Sequence, residues 1–198
     1  MREEAARRLE GRLVVLVPLT PLHEEGLWEA ANDVEVWRFM LWNAIASRQA
    51  FHHWMEEALA QGRAGQRVPF AVLTALDERP IGSSSYLALR PEHRGLEIGW
   101  TWMARETWGT GANVEAKLLL MEHAFERLGC MRVEFKTEAR NERARAALAA
   151  LPARFEGVFR KHMLVRDGEV RDSAYYSVTD DEWPDVRAAL TARLAARS

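Results

Sequence analysis

Between Trp102 and Asn113 the chain reads WMARETWGTGAN, a stretch in which Gly109 and Gly111 lead straight into a run of helical spacing. Glycines allow close backbone approach and left-handed dihedrals, and the first turn of a helix carries N–H groups with no intrahelical partner and a partial positive charge. Such a loop can hold a phosphate without any excess of basic side chains. Neither GxxxxGK[ST] nor GxGxxG occurs here, so the pattern is not that of a P-loop or a dinucleotide fingerprint. Two carboxylates stand on strand-like segments, Glu97 in LEIGW and Glu156 in FEGV. Either can take a proton from an amine if it faces a cleft, and either can equally be a solvated or salt-bridged side chain. Asn141 is suited both to a polar contact with a ligand and to capping the helix that follows it. His52 and His53 are adjacent and face apart on a helix, and His123 and His162 are read as having no acidic or thiol partner at ligand spacing, so no metal site is expected.

Those residues need a scaffold, and the hydrophobic pattern supplies one. A β-rich run spans Leu13 to Leu19, and helical spacing follows through Leu22, Leu27, Ala30, Val36, Phe39 and Met40. Ser47 begins a further helix that reaches Gln61 and ends at Gly62. Three strands, Val68 to Leu76, Ile81 to Leu89 and Leu96 to Met103, are separated by turn signals and read as an antiparallel meander. Alternation in the third places Glu97, Gly99, Thr101 and Met103 on one face and Leu96, Ile98, Trp100 and Trp102 on the other. The helix from Ala112 to Leu128 turns Val114, Leu118, Met121, Phe125 and Leu128 inward and stops at Gly129. Val133 to Thr137 is a strand, and Asn141 to Leu151 a short helix closed by Pro152. Phe155 to Val165 and Val170 to Val178 are strands joined across Asp167 and Gly168, and Asp180 to Ala196 is a terminal helix. The result is a mixed α/β chain expected to form one domain over 1–198, with a mainly helical part at 1–66, a core at 67–179 and a C-terminal helix at 180–198.

Composition narrows the partners. The 198 residues carry a net charge of −2, so no general cationic field is present to hold a nucleic acid. The longest uncharged run, Leu13 to Leu22, is broken by Pro18 and Pro21 and falls short of the ~20 apolar residues of a membrane span. Met1 to Glu10 alternates charges and lacks the apolar stretch of a signal peptide, which points to the cytoplasm. The single cysteine, Cys130, excludes an internal disulfide and sits where a small buried side chain is wanted. Trp28, Trp37, Trp42 and Trp54 crowd the helical first third, where they can pack on a sheet or line a substrate cleft.

The run LEIGWTWMARETWGTGANVEAKLLLMEHAFERLGCMRVEFKTEARN, followed by FEGVFR and RDSAYYSV, resembles the GNAT superfamily of N-acetyltransferases, in its RimJ/RimL-like branch. The resemblance covers about 80 residues and implies a central, mostly antiparallel sheet splayed between its fourth and fifth strands and flanked by helices. It implies that acetyl-coenzyme A is the acetyl donor, with its pyrophosphate on a Q/R-x-x-G-x-G/A loop. Here that loop reads Trp108, Gly109, Thr110, Gly111, Ala112 and Asn113, with Trp and Asn departing from the pattern at its ends. Trp102 and Met103 would offer backbone to the pantetheine arm, and Asn141 and Arg143 would meet the cofactor.

The same resemblance implies transfer of acetyl to a primary amine, either a protein N-terminal α-amine or a small molecule, by direct attack in a ternary complex. Glu156 matches the Glu of the branch's EG pair, and Phe155 and Val158 beside it would raise its pKa. Glu97 is the other candidate base. The family's proton donors are missing: Leu148 stands where many members have Tyr, and Ala144 where the RimL-like branch has Ser. A coenzyme A-binding module with weak or lost catalysis is therefore the rival reading, and a nucleotide-binding α/β protein a third. By analogy with related enzymes a homodimer is expected.

Overall fold

The structure, a computed structural model, describes residues 2–166 and 168–196. A short helix α1 (Arg2–Ala5) leads into a hairpin of β1 (Leu9–Glu10) and β2 (Val14–Pro18), which stops at the two prolines. The helical region consists of α2 (Glu24–Ala30), α3 (Val34–Trp37) and α4 (Arg48–Arg63), linked by 3₁₀ turns. Asp33 and Ser47 cap α3 and α4 through their side chains. The α4 helix runs one residue past the expected stop at Gly62, since the chain turns only at Gly65, with φ of 76°.

The meander forms as β3 (Arg67–Thr74), β4 (Pro80–Arg90) and β5 (Gly95–Met103). After it come α5 (Ala112–Glu122), β6 (Arg132–Glu138), α6 (Glu142–Ala149), β7 (Arg154–Val165), β8 (Glu169–Thr179) and α7 (Trp183–Ala195). A π-helical turn, His123–Arg127, extends α5 almost to the expected end. Asp167, expected in the turn between the last two strands, lies outside the described residues, as do Met1, Arg197 and Ser198.

All eight strands join one sheet in the order β1-β2-β3-β4-β5-β6-β8-β7. Every neighbouring pair is antiparallel except β5 and β6. Setting aside the two-residue β1, these are the fourth and fifth strands. One sheet face packs Leu16, Phe70, Tyr86, Leu96 and Phe135 against α5, α6 and α7. The other packs Ala71, Leu73 and Trp102 against α2, α3 and α4. Full burial of such side chains stabilises by about 1.5–3 kcal/mol each. On this second face Trp37, Phe51, Trp54 and Trp102 form a cluster of edge-to-face and tilted ring pairs with centroids 5.1–6.5 Å apart. Trp37 and Trp54 are therefore core, the packing alternative for the N-terminal tryptophans.

Two local expectations are corrected. The stripe that α5 and its π-helical extension bury is Ala112, Ala116, Leu120 and Ala124, with alanine at three of its four positions. Met121 and Phe125 are buried as expected, but Val114, Leu118 and Leu128 are only partly so. Glu115 and Lys117 are buried in their place. Alternation along β5 also breaks. Ser83 pairs with Trp102 and Ser85 with Gly99, so β5 carries one extra residue, and Trp100 adopts a φ of 49°. This bulge sends Trp102 to the helical first third's face and keeps Met103 with Leu96 and Ile98.

Candidate active site

The parallel pairing of β5 with β6 is confined to Gly95–Glu97 against Arg132–Glu134. Beyond Glu97 the strands part, and between them opens a cavity of about 390 Å³. Ile98 to Met103 line it from β5, and Phe135 to Glu138 from β6. The loop–helix junction contributes Trp108, Gly109, Gly111 and Asn113, while Asn141, Arg143, Ala144 and Leu148 close it from α6. On the opposite side of the sheet it is bounded by Val36, Phe39, Met40 and Leu41, and not by the N-terminal tryptophans.

The anion-binding end is built as the glycines suggest. Gly111 is the N-cap of α5 with a φ of 102°, a conformation that favours glycine, and as glycine it has no side chain with which to cap the helix. Thr110 Oγ1 accepts from the Ala112 N–H at 3.3 Å, leaving the N–H groups of Asn113 and Val114 as first-turn donors without an intrahelical acceptor. Open space surrounds the position a Cβ would take on Gly109. The Asn113 Oδ1 is buried in the cavity wall with no hydrogen-bond partner. A pyrophosphate with an amide-bearing arm fits this donor set and this orphaned acceptor. Trp108 explains its own departure from the loop pattern: its indole N–H donates to the Met103 carbonyl at 3.0 Å, tying the loop to the end of β5. Its ring lies under the Arg143 guanidinium at 3.4 Å and near that of Arg105 at 5.3 Å, so two cations gather at the cavity mouth. Asn141 accepts from the Ala144 N–H at 3.0 Å and also lines the cavity, so the capping and ligand-facing alternatives coexist.

The two candidate carboxylates separate. Glu97 lines the cavity where the strands begin to part, is 7% exposed, and receives the Lys136 ammonium at 3.3 Å. A Cβ on Gly99 would come within 2.8 Å of the Glu97 Oε1, so glycine there makes room for the carboxylate. Glu156 is exposed on β7 and takes hydrogen bonds from Ser177 and Arg132, the latter at 2.9 Å. These bonds, that of Ser177 foremost, lower its pKa. The expected rise fails because Phe155 and Val158 are themselves exposed, and β8 lies between β7 and β6. Glu156 therefore does not reach the cavity.

One cavity residue escaped the sequence reading. Lys117, on the inner face of α5, is 9% exposed, holds its Nζ 3.3 Å from Thr101 Oγ1 and sits 5.3 Å over the Phe135 ring. Burial lowers its pKa to about 8. A lysine among apolar helix positions gave no periodic signal; its only mark in the sequence is a charge on the sheet-facing side of an amphipathic helix. Cys130 is buried, and desolvation pushes its thiol up to about 11, as suits a packing residue. Among the described residues no cluster of three His, Cys, Asp or Glu side chains is arranged to hold a metal ion, and no helix is long and apolar enough to cross a membrane.

Comparison with known proteins agrees with this architecture. A family model described as acetyltransferase (GNAT) domain matches residues 13–153. A candidate acetyltransferase from T. thermophilus is 42% identical, with 95% of this chain and 97% of that one covered and a TM-score of 0.86. A GCN5-related N-acetyltransferase from Brucella melitensis is 30% identical over 96% and 86% of the two chains, with a TM-score of 0.88. Mycobacterium smegmatis RimJ, solved with a CoA-disulfide, shares the fold at 22% identity, 96% and 94% coverage and a TM-score of 0.77. Comparison with curated proteins gives no match. With a family model spanning most of the chain and close relatives superposing over nearly all of it, the protein belongs to the GNAT acetyltransferase family.

Proposed function

We propose that this protein moves an acetyl group from acetyl-coenzyme A to a primary amine by direct attack while both are bound. The observation that carries the reading is one continuous cavity with an anion-binding helix start at one end and the buried carboxylate of Glu97 at the other. The N–H groups at the start of α5, with Arg143 beside them, would hold the pyrophosphate. The open edge of β5 from Ile98 to Met103 would line the pantetheine arm, except that the Met103 carbonyl is already occupied by Trp108. Acetyl-coenzyme A supplies an activated acyl group. Glu97 takes the acceptor's proton, directly or through water, and a backbone N–H of the β5 bulge polarises the carbonyl. The acceptor enters past Val36, Phe39 and Met40.

Support for a protein N-terminal amine comes by analogy with a structural neighbour described as a ribosomal L7/L12 α-N-protein acetyltransferase; a small-molecule amine is the other acceptor class. A second reading, a coenzyme A-binding module with little catalysis, is favoured by Leu148 and Ala144, aliphatic cavity residues at the positions where the family resemblance implies proton donors. Calorimetry with coenzyme A and thiol release with a panel of peptide and small amines separate the two. Binding with turnover on at least one amine is expected, binding without turnover on any supports the module, and no binding overturns both. In the same calorimetry Gly111→Val, strained at a φ of 102°, abolishes affinity while the protein remains folded. A cytoplasmic location belongs to the same reading.

A further inference from the structure

Lys117 is a buried cation of the cavity that neither the anion site nor the carboxylate uses. Lys117 projects from α5 to the point where β5 and β6 have separated, with Thr101 of β5 on one side and Phe135 of β6 on the other. Thr101 Oγ1 is itself bonded to Ser84 Oγ of β4 at 2.8 Å, so the ammonium ends a short polar chain running through the sheet. Among the described residues no carboxylate lies within ion-pair distance of Lys117. Other charged groups of the wall have partners of their own: Glu97 pairs with Lys136 on the opposite face of the two strands, Glu138 pairs with Arg140 and Arg166, Arg171 donates to Ser173 on β8, and Arg143 stacks on Trp108 at the mouth. A buried ammonium is retained against its desolvation only when something compensates it, and one hydroxyl at 3.3 Å is thin compensation. From α6 the cavity wall receives no proton donor at Leu148 and Ala144, both aliphatic.

We propose that Lys117 is the catalytic residue that protonates the departing thiolate, a task that the aliphatic Leu148 and Ala144 of α6 cannot perform. The proposal rests on the acetyltransferase reading. As the acceptor nitrogen bonds to the acetyl carbon, the carbon–sulfur bond breaks and its electron pair goes to sulfur. The Lys117 ammonium gives a proton to that sulfur and becomes a neutral amine, which regains a proton from solvent; the acceptor's proton leaves through Glu97. The products are an amide and a free thiol. Burial places Lys117 at about 8, close to the ~8.5 of an ordinary alkyl thiol, so proton transfer between them is nearly balanced.

Lys117→Met keeps the length and apolar stem and removes the proton. Turnover should fall by about 100- to 10,000-fold with KM for acetyl-coenzyme A little changed. The wild-type pH profile should decline above about 8 as Lys117 loses its proton, and that limb should vanish in the variant. Lys117→Arg, which keeps the charge but does not release a proton, should remain slow. A readout independent of activity is the ultraviolet thiolate band of bound coenzyme A. A cation beside the sulfur should raise the thiol's ionisation constant at least about tenfold in the wild type relative to Lys117→Met. Equal thiol ionisation in the two proteins, or full turnover by the Met or Arg variant, would overturn the assignment while leaving the acetyltransferase reading intact. Failure of the wild type to bind coenzyme A would remove both.

Discussion

Helix α5 buries two charges two residues apart, and their surroundings differ in kind. Glu115 faces the β1–β2 hairpin, where its carboxylate accepts the N–H groups of Arg12, Leu13 and Val14 at 3.1, 2.6 and 2.8 Å. Lys117, turned by about 200° around the helix, faces the cavity with a single hydroxyl acceptor. One charge is saturated by backbone and the other is not. A saturated buried charge holds structure together, whereas an under-satisfied one beside an open cavity is poised for a ligand. The contrast assigns opposite signs to the two residues' effects on folding.

The largest effect is expected at Glu115. Glu115→Ala strands three N–H donors, each unpaired buried donor costing about 1–3 kcal/mol, so urea unfolding should show a loss of about 3 kcal/mol or more. Glu115→Gln, which keeps one acceptor oxygen, should recover part of it. A loss under about 1 kcal/mol for the Ala variant would mean that water replaces the carboxylate, and the contrast with Lys117 would collapse.

Neither member of this pair was legible in the sequence, and the reason is physical. Apolar periodicity places α5 correctly but rewards large side chains, so it turned Val114 and Leu118 inward. The sheet in fact admits Ala112, Ala116, Leu120 and Ala124 at close range and tolerates Glu115 and Lys117 because each meets a partner from a distant segment. Where the signal is local, sequence and structure agree: Ser47 caps α4, the meander turns at its expected places, and Gly111 begins α5 with a positive φ. Where it is non-local, the two part. Glu156 sits on the expected strand, yet the order β6-β8-β7 carries it to the outer edge, a fact no spacing along the chain encodes. The bulge at Trp100 likewise leaves no mark, since no glycine announces its positive φ.

Lys117 should act in the opposite direction from Glu115. Its folded pKa, about 8, lies below the ordinary 10.5, so between those values the unfolded chain binds more protons than the folded one, and stability rises with pH. The desolvation penalty is fully present below pH 8 and gone above about 10.5. Lys117→Met should therefore be more stable than wild type at pH 7, by an amount on the order of 3 kcal/mol, and the gap should close as pH approaches 10.5. Stability curves at several pH values measure this directly. A Met variant less stable than wild type at pH 7 would make Lys117 a structural cation and break the comparison.

The smallest effect, and the sharpest test of the rule, is expected at Asn113. Its Oδ1 is buried in the cavity wall without a partner, like Lys117 in kind but uncharged. Asn113→Ala removes an unsatisfied acceptor and places a better helix former in the first turn of α5, both favourable, while losing a few packing contacts. Folding stability should change by less than about 1 kcal/mol. If that oxygen is kept for the donor substrate, coenzyme A affinity should fall about threefold to tenfold, the equivalent of one neutral hydrogen bond of about 0.5–1.5 kcal/mol. Thermal unfolding and calorimetry on one preparation report both quantities. A drop in stability with affinity unchanged would show that Asn113 supports the fold, and that an unpaired polar atom in this wall does not by itself mark a place where the substrate binds.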